Sequence, residues 1–406
     1  MFNNHKVYIF ISRFPPPFGG VSNQVKWIAE NACSKDSSLT VFVIDIKALV
    51  IHQFNDGLWN SNHLYKSMFF YWCLMISLLP SFINSIRDQS FSLRLDRFLI
   101  WRFLLYVMSH TLSRYFKNKD VQLIYSFHLG APSLLGGWLA KSFESKHLTA
   151  VFGEAFTNYQ KLSSQKNLLL ELSGEIVSCS DHCGRILRSL DKDIKYSVLY
   201  YGSDLQKLSE LYTKKPAMNG CKDMPKIMFL GRLNAEMGII YFLDLIEALN
   251  TISLGKFRYL ICGQEDAELE RVREFKKSFS GLLDLEISVP FAKRDELLID
   301  ADVLVVPSTN ERACFGLAIT EGIAAGCLVY ARDVGGHAEP MLGERRFLFD
   351  KNLHPENLAN IIINDLCDNT INATLIELRK RVVERFDIAA CMNAQLNFID
   401  AIKKNG

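Results

Sequence analysis

Short apolar runs alternate with helical stretches along the chain, and this alternation constrains the fold more than any other feature of the sequence. The runs are rich in Val, Ile and aromatic residues, which favour strands. One series lies before a polar stretch at 212–226 and another follows it: KVYIFIS, LTVFVIDI, VQLIYSF, LTAVF and EIVSCS, then KIMFLGR, FRYLICG, LEISVPF, DVLVVPS and CLVYARD. Strands separated by helices build parallel sheets with helices on both faces. The sequence therefore predicts an α/β protein of two doubly wound domains joined by a linker.

The composition narrows the class of protein. Of 406 residues, 49% are hydrophobic and 22% charged, with a formal net charge of +2. This is a globular composition, and it does not favour a nucleic-acid partner. The ten cysteines show no disulfide-like spacing, so we expect reduced thiols and a cytoplasmic protein. Cys179, His182 and Cys183 put three candidate metal ligands on one turn, but without a distant partner we interpret them as ordinary helix residues.

An apolar segment leaves the relation to membranes open. Residues 67–86 contain no charged residue, a length that spans a bilayer, although Pro80 and several polar residues argue against spanning. Residues 94–110 interleave arginine with aromatic residues, which suits a membrane surface. We therefore predict an apolar helical insertion at about 60–116, packed either in the core or on the inner face of the cytoplasmic membrane. The chain opens with polar residues and a strand, not with a signal peptide.

Residues that directly follow the strands are candidate site residues, because ligands of such sheets bind beyond the carboxyl ends of the strands. Gly19 and Gly20 precede the first helix, and His128 follows VQLIYSF. Gly231 and Arg232 end the strand KIMFLGR, where a guanidinium suits a diphosphate.

A second set of candidates follows the strand DVLVVPS. Phe315, Gly316 and Leu317 lie at the predicted start of a helix, whose N–H groups favour phosphate oxygens. Glu321, within that helix, is able to accept bonds from two adjacent hydroxyls, as a ribose presents. Glu311 is a second carboxylate just upstream.

These motifs together resemble a known family. PPPFGGVSNQVKWIAE, VLYYGSDL, FLGRL and ADVLVVPS followed by FGLAITEGIAAGCLVYARDVGG occur in the order and spacing of retaining GT-B glycosyltransferases of the family 4 type. The resemblance implies two Rossmann-like domains facing a central cleft, with a last helix that crosses back onto the first domain. We accordingly predict domains at 1–205 and 206–385 and a crossover helix at 386–406.

The resemblance also implies an activity and roles. A hexose or deoxyhexose would pass from a UDP- or GDP-linked donor to a saccharide or lipid-linked acceptor with retention, as in bacterial O-antigen or capsule assembly. Arg232 would neutralise the diphosphate, His128 would contact the donor sugar, and Glu321 would hold the ribose. Gly19, Gly20, Gly231 and residues 315–317 would border the phosphates. No cofactor or metal is implied, since cationic side chains and helix dipoles stabilise the leaving group.

The chain departs from the family pattern at two positions. Ala313 occupies the place of the first family glutamate, so Glu311 is out of register, and a deoxygenated donor sugar is one explanation. Met237 occupies the place of a lysine that shares the diphosphate charge, for which Lys293 or Arg294 are possible substitutes. A catalytically degenerate homologue that acts as a binding or scaffold subunit therefore stays as an alternative. A Rossmann oxidoreductase is excluded because neither half has a strand followed by G-x-G-x-x-G.

Overall fold

The computed structural model describes most of the chain. The described residues are 6–12, 20–48, 50–55, 57–63, 97–153, 171–213, 224–368 and 370–404. The uncharged segment at 67–86, the proline-rich loop with Gly19 and most of the predicted linker lie outside them. Expectations for these segments therefore stay predictions.

The chain divides into two compact units. The first unit comprises Met1–Ser178, Ile186–Val198 and Ala394–Gly406, and the second unit comprises Cys179–Arg185 and Leu199–Asn393. The domain limits predicted at 205 and 385 stay predictions.

The first unit contains a mostly parallel sheet of order β4-β3-β2-β1-β5-β6-β7-β8. Its strands are β1 (Lys6–Ile11), β2 (Leu39–Asp45), β3 (Val50–Asn55), β4 (Leu58–His63), β5 (Asp120–Phe127), β6 (Lys146–Val151), β7 (Glu175–Ser178) and β8 (Ser197–Val198). Every residue of β2 is buried, as expected for a strand covered on both faces. Among the described strands, β3 runs antiparallel to both of its neighbours, β2 and β4. The strand order reverses between β1 and β5, which makes their carboxyl ends the topological switch point.

The second unit contains a fully parallel sheet of order β11-β10-β9-β12-β13-β14. Its strands are β9 (Lys226–Arg232), β10 (Arg258–Gln264), β11 (Leu283–Ile287), β12 (Val303–Val306), β13 (Leu328–Arg332) and β14 (Leu348–Phe349). This is the strand order of a dinucleotide-binding sheet, with its switch point between β9 and β12. The expectation of two α/β units built on parallel sheets is confirmed.

Helices cover the sheets and bury the hydrophobic cores against them. They are α1 (Gly20–Lys35), α2 (Arg97–Tyr115), α3 (Ala131–Phe143), α4 (Asp181–Leu190), α5 (Leu205–Tyr212), α6 (Ile239–Ile252), α7 (Leu269–Ser278), α8 (Phe291–Asp300), α9 (Leu317–Ala324), α10 (Pro355–Leu366), α11 (Ile371–Phe386) and α12 (Ile388–Lys404). The division between the units falls within α4 and within α12. In the first unit, Lys403 of α12 donates a hydrogen bond to the Tyr8 hydroxyl of β1 at 2.8 Å.

None of the helices in the described part of the chain combines the length and apolar character needed to cross a bilayer.

Candidate active site

An exposed arginine, Arg232, lies at the switch point of the second sheet. Gly231 and Arg232 end β9, paired with Gly263 and Gln264 of β10. The Arg232 side chain is exposed, and it makes no ion pair with any residue that the structure describes. A guanidinium held at a strand end and open to solvent is suited to bind an anionic ligand through two oxygens.

The loops that follow β9 and β12 are joined to each other. The Glu236 carbonyl accepts bonds from the Ser308 hydroxyl at 3.0 Å and from the Thr309 N–H at 2.9 Å. Gly238 has φ +80°, and a Cβ placed on it would lie 2.1 Å from the Pro307 carbonyl oxygen. Only glycine allows this approach, so the two loops pack directly against each other at the switch point.

The start of α9 is anchored by an aromatic residue. Phe315 is buried, and its ring centroid lies 5.2 Å from that of Tyr200 and 4.9 Å from that of Phe386. Gly316 follows with φ +88° and precedes the first residue of the helix, the half-buried Leu317. Among the described residues no side chain caps α9. The Ile319 N–H donates to the Gly316 carbonyl at 2.9 Å, so the N–H groups that precede it are the ones available to an anion.

Glu321 lies within α9 and is buried. Its Oε1 accepts a bond from Arg294 Nη1 of α8 at 3.3 Å. Burial raises the pKa of Glu321, while the charge of Arg294 opposes this rise. The Glu321 carboxylate already accepts a hydrogen bond from Arg294. A ribose hydroxyl that bonds to this carboxylate would therefore share it with Arg294.

The other two charged candidates lie in exposed positions. Glu311 forms an ion pair with Lys351 at 4.0 Å, with two thirds of its side chain exposed. Lys293 pairs with Glu296 at 3.9 Å within α8. Of the two residues considered as substitutes for the missing lysine, Arg294 is the one that contacts Glu321.

The two departures from the family pattern lie in ordered surroundings. The Ala313 carbonyl accepts a bond from the Gly336 N–H at 2.8 Å. Met237 is half-buried against the core, and its N–H donates to the Asn234 side chain at 2.9 Å. Because alanine and methionine are uncharged, neither position supplies a charge at the switch point.

The first unit carries a candidate at its own switch point. His128 follows β5 with φ +87°, a conformation that is unusual for a residue with a side chain. Its N–H donates to the Ala150 carbonyl at 2.9 Å, and its ring lies 4.8 Å from that of Phe152. Gly20 is the first residue of α1, whereas Gly19 lies outside the described residues. Strain at a strand end is typical of functional residues.

Two groups in the second unit were not found from the sequence. The Glu339 carboxylate accepts bonds from the N–H groups of Asp181 and His182, at 2.9 and 2.7 Å, and from the Tyr200 hydroxyl at 3.0 Å. Cys314 lies beside Cys179 and Cys183, with the three sulfurs within 4.8 Å of one another. Nothing in the local sequence around Glu339 or Cys314 signals these contacts.

A comparison with protein families finds a match, and it lies in the second unit. Residues 224–368 match the family described as Glycosyl transferases group 1. This range contains Arg232, the helix start at 315–317 and Glu321. No curated protein matches the chain by sequence.

Solved structures resemble the chain over nearly its whole length. Sucrose-phosphate synthase from Thermosynechococcus elongatus is 18% identical with a TM-score of 0.68, covering 99% of this chain and 100% of that one. A glycosyltransferase from Rickettsia africae is also 18% identical, with a TM-score of 0.67 and the same coverage. HepE from Anabaena, solved with UDP and glucose, is 15% identical with a TM-score of 0.64, covering 98% and 100%. The chain therefore has the GT-B glycosyltransferase fold.

Proposed function

We propose that this chain is a glycosyltransferase that moves a hexose or deoxyhexose from a nucleoside-diphosphate sugar to a saccharide or lipid-linked saccharide acceptor. The proposal rests on one observation: Arg232 is exposed at the carboxyl end of β9, at the switch point. The match of residues 224–368 to group 1 glycosyl transferases supports it. UDP is a natural first donor to test, because HepE was solved with UDP and glucose, and GDP is the second.

In the proposed mechanism, charge develops on the diphosphate as the bond to the anomeric carbon breaks. Arg232 and the uncapped N–H groups at the start of α9 would stabilise that charge. Arg232 and these N–H groups would supply positive charge without a metal ion, so we propose metal-independent transfer. Addition of a chelator should then leave the rate unchanged.

Retention of configuration is part of the proposal. We favour attack by the acceptor on the face from which the diphosphate leaves, with a phosphate oxygen taking the acceptor proton. His128 would contact the donor sugar, and Glu321 would share its carboxylate between Arg294 and the ribose. Gly19, Gly20 and Gly231 would border the phosphates.

The donor sugar is proposed from one position. By the family resemblance, Ala313 would put a methyl group where a glutamate carboxylate usually contacts hydroxyls of the donor sugar. A buried carboxylate that lacks its hydroxyl partner is unfavourable, so Ala313 suits a sugar that lacks that hydroxyl. Assembly of bacterial surface polysaccharide, at the inner face of the cytoplasmic membrane, is the setting that we propose.

The test is a transfer assay with UDP- and GDP-linked hexoses and deoxyhexoses and with saccharide or lipid-linked acceptors. We expect release of nucleoside diphosphate and a product whose anomeric configuration, read by NMR, matches the donor. An inverted product would contradict the proposed mechanism. Nucleotide binding without turnover on any pair would favour the scaffold alternative, which Met237 and Ala313 motivate.

A further inference from the structure

A cluster of three thiols lies in the second unit, and none of its members is among the charged groups of the proposed transferase site. Cys179 and Cys183 come from the segment that begins α4, and Cys314 comes from the loop before α9. Their sulfur atoms all lie within 4.8 Å of one another. In the sequence, Cys179 and Cys183 are close together and have no third metal ligand distant in the chain. The fold brings Cys314 to them.

The surroundings of the cluster restrict its chemistry. Cys179 and Cys183 are buried, with exposed fractions of 4% and 0%, while Cys314 is half-buried. The Cys183 N–H donates to the Ser180 hydroxyl at 3.1 Å, so the first turn of α4 is held by a helix cap. Cys183 thus lies in the capped first turn of α4 and Cys179 lies just before that turn, while Cys314 reaches them from the loop before α9.

Three converging sulfurs favour a metal ion over a structural disulfide. A disulfide joins two sulfurs and leaves the third unused, whereas three thiolates match the protein ligand number of a tetrahedral ion with an open fourth position. A zinc–sulfur bond of about 2.3 Å places tetrahedral thiolates about 3.8 Å apart. The present spread of up to 4.8 Å is therefore within about 1 Å of that geometry.

We propose that Cys179, Cys183 and Cys314 bind one thiophilic divalent metal ion of the Zn²⁺ class. Soft thiolate ligands select such ions over Mg²⁺ or Ca²⁺. Each thiol loses its proton to the buffer when its sulfur binds the ion, so three S–H bonds are exchanged for three metal–sulfur bonds without oxidation or reduction.

The ion would act on the loop that precedes α9. Cys314 is followed directly by Phe315 and Gly316, so metal binding would tie the start of α9 to the segment Cys179–Cys183. None of the three sulfurs has a role in the proposed neutralisation of the diphosphate, so the ion would act on that site through the loop that carries Cys314. The proposed role of the ion is to order this loop, with water or a further ligand at its fourth coordination position.

The test uses Co²⁺ as a spectroscopic probe on the full-length, reduced protein. We expect one equivalent of Co²⁺ to produce a thiolate-to-metal charge-transfer band, and Zn²⁺ to displace it. Cys314→Ser should weaken binding at least about tenfold, while Cys367→Ser, an exposed cysteine outside the cluster, should bind as the parent does. The thermal unfolding temperature should rise with Zn²⁺ in the parent and in Cys367→Ser only.

Other outcomes would overturn the proposal. A parent protein without the band, or a Cys314→Ser variant that keeps it, would show that these sulfurs bind no metal. A disulfide between Cys314 and Cys179 or Cys183 after mild oxidation, with no metal binding in the reduced protein, would assign the cluster to thiol–disulfide exchange instead. Circular dichroism of Cys314→Ser separates loss of the site from loss of the fold. The readout is metal binding, so it does not depend on the proposed transferase activity.

Discussion

Glu311 and Glu321 differ in burial and in their ion-pair partners, because Glu311 lies in a loop and Glu321 lies within α9. Glu311 is exposed and pairs with Lys351 over 4.0 Å, an arrangement that contributes little to stability. Glu321 is buried and pairs with Arg294, so removing Arg294 would leave an uncompensated buried charge. The two carboxylates are therefore in different environments, and only Glu321 belongs to a charged network within the second unit.

His147 on β6 predicts a pH dependence of stability in the first unit. Its Nε2 lies 2.9 Å from the Ser126 hydroxyl, and burial lowers its pKa to about 4. The unfolded chain binds a proton near pH 6.5, so stability present above that pH is lost as the pH falls to about 4. The full effect is about 3 kcal/mol.

The measurement for His147 is the free energy of unfolding between pH 4 and 7. We expect His147→Gln to flatten the dependence in this window, whereas His110→Gln, on the exposed side of α2, should keep it. A dependence that is unchanged in His147→Gln would contradict the assignment.

At the scale of elements, Gly238 joins α6 to the end of β12. A Cβ at this position would meet the Pro307 carbonyl oxygen at 2.1 Å, and φ is +80°. Gly255 has a similar φ of +67°, but a Cβ added there would meet no atom within 4 Å. We expect Gly238→Ala to lower the free energy of unfolding by at least about 2 kcal/mol more than Gly255→Ala. If denaturant titrations gave equal losses of unfolding free energy for the two variants, the loops around Gly238 would accommodate a Cβ by moving apart, and the prediction would be wrong.

The first turn of α4 depends on a carboxylate from far along the chain. Glu339 accepts the N–H groups of Asp181 and His182 together with the Tyr200 hydroxyl. We expect Glu339→Ala to cost about 2 kcal/mol of unfolding free energy, because these donors lose a charged acceptor. Glu377→Ala, on an exposed face of α11, is the matched control and should change little. Similar stability of both variants would refute the capping role.

Tyr200 offers a second readout of the same contact. Burial raises the pKa of Tyr200 to about 12, with the Glu339 charge as the next cause. Removing Glu339 should bring the pKa of the phenol down. Absorbance titration of the tyrosines in Glu339→Ala checks this direction.

At the scale of the whole molecule, short apolar runs between helical stretches predicted most of the two sheets. The buried runs that became β1, β2, β5 and β9 are largely apolar, so length and turn residues alone identify them. The hairpin of β3 and β4 was missed because its strands are polar, although the Asp56-Gly57 pair is a hairpin signal.

The positions of the candidate residues at strand ends and in the helix that begins at Leu317 were predictable, but their tertiary contacts were not. Arg232 ends its strand, so its place at the switch point follows from the strand order. The pairing of Glu321 with Arg294 and the approach of Cys314 to Cys179 join residues distant in the chain. Such contacts depend on tertiary packing, which local pattern does not encode.

The central claim is that the switch point of the second sheet binds a nucleoside diphosphate through Arg232. Calorimetric titration with UDP and GDP tests it most directly, comparing the parent, Arg232→Ala and Arg258→Ala. Arg258 is an exposed arginine at the opposite, amino-terminal end of the same sheet. We predict that Arg232→Ala weakens binding of one of these nucleotides about tenfold to a hundredfold, as expected for loss of a charge-assisted contact, while Arg258→Ala binds as the parent does. Equal affinities in all three proteins, or no binding to either nucleotide, would contradict the account.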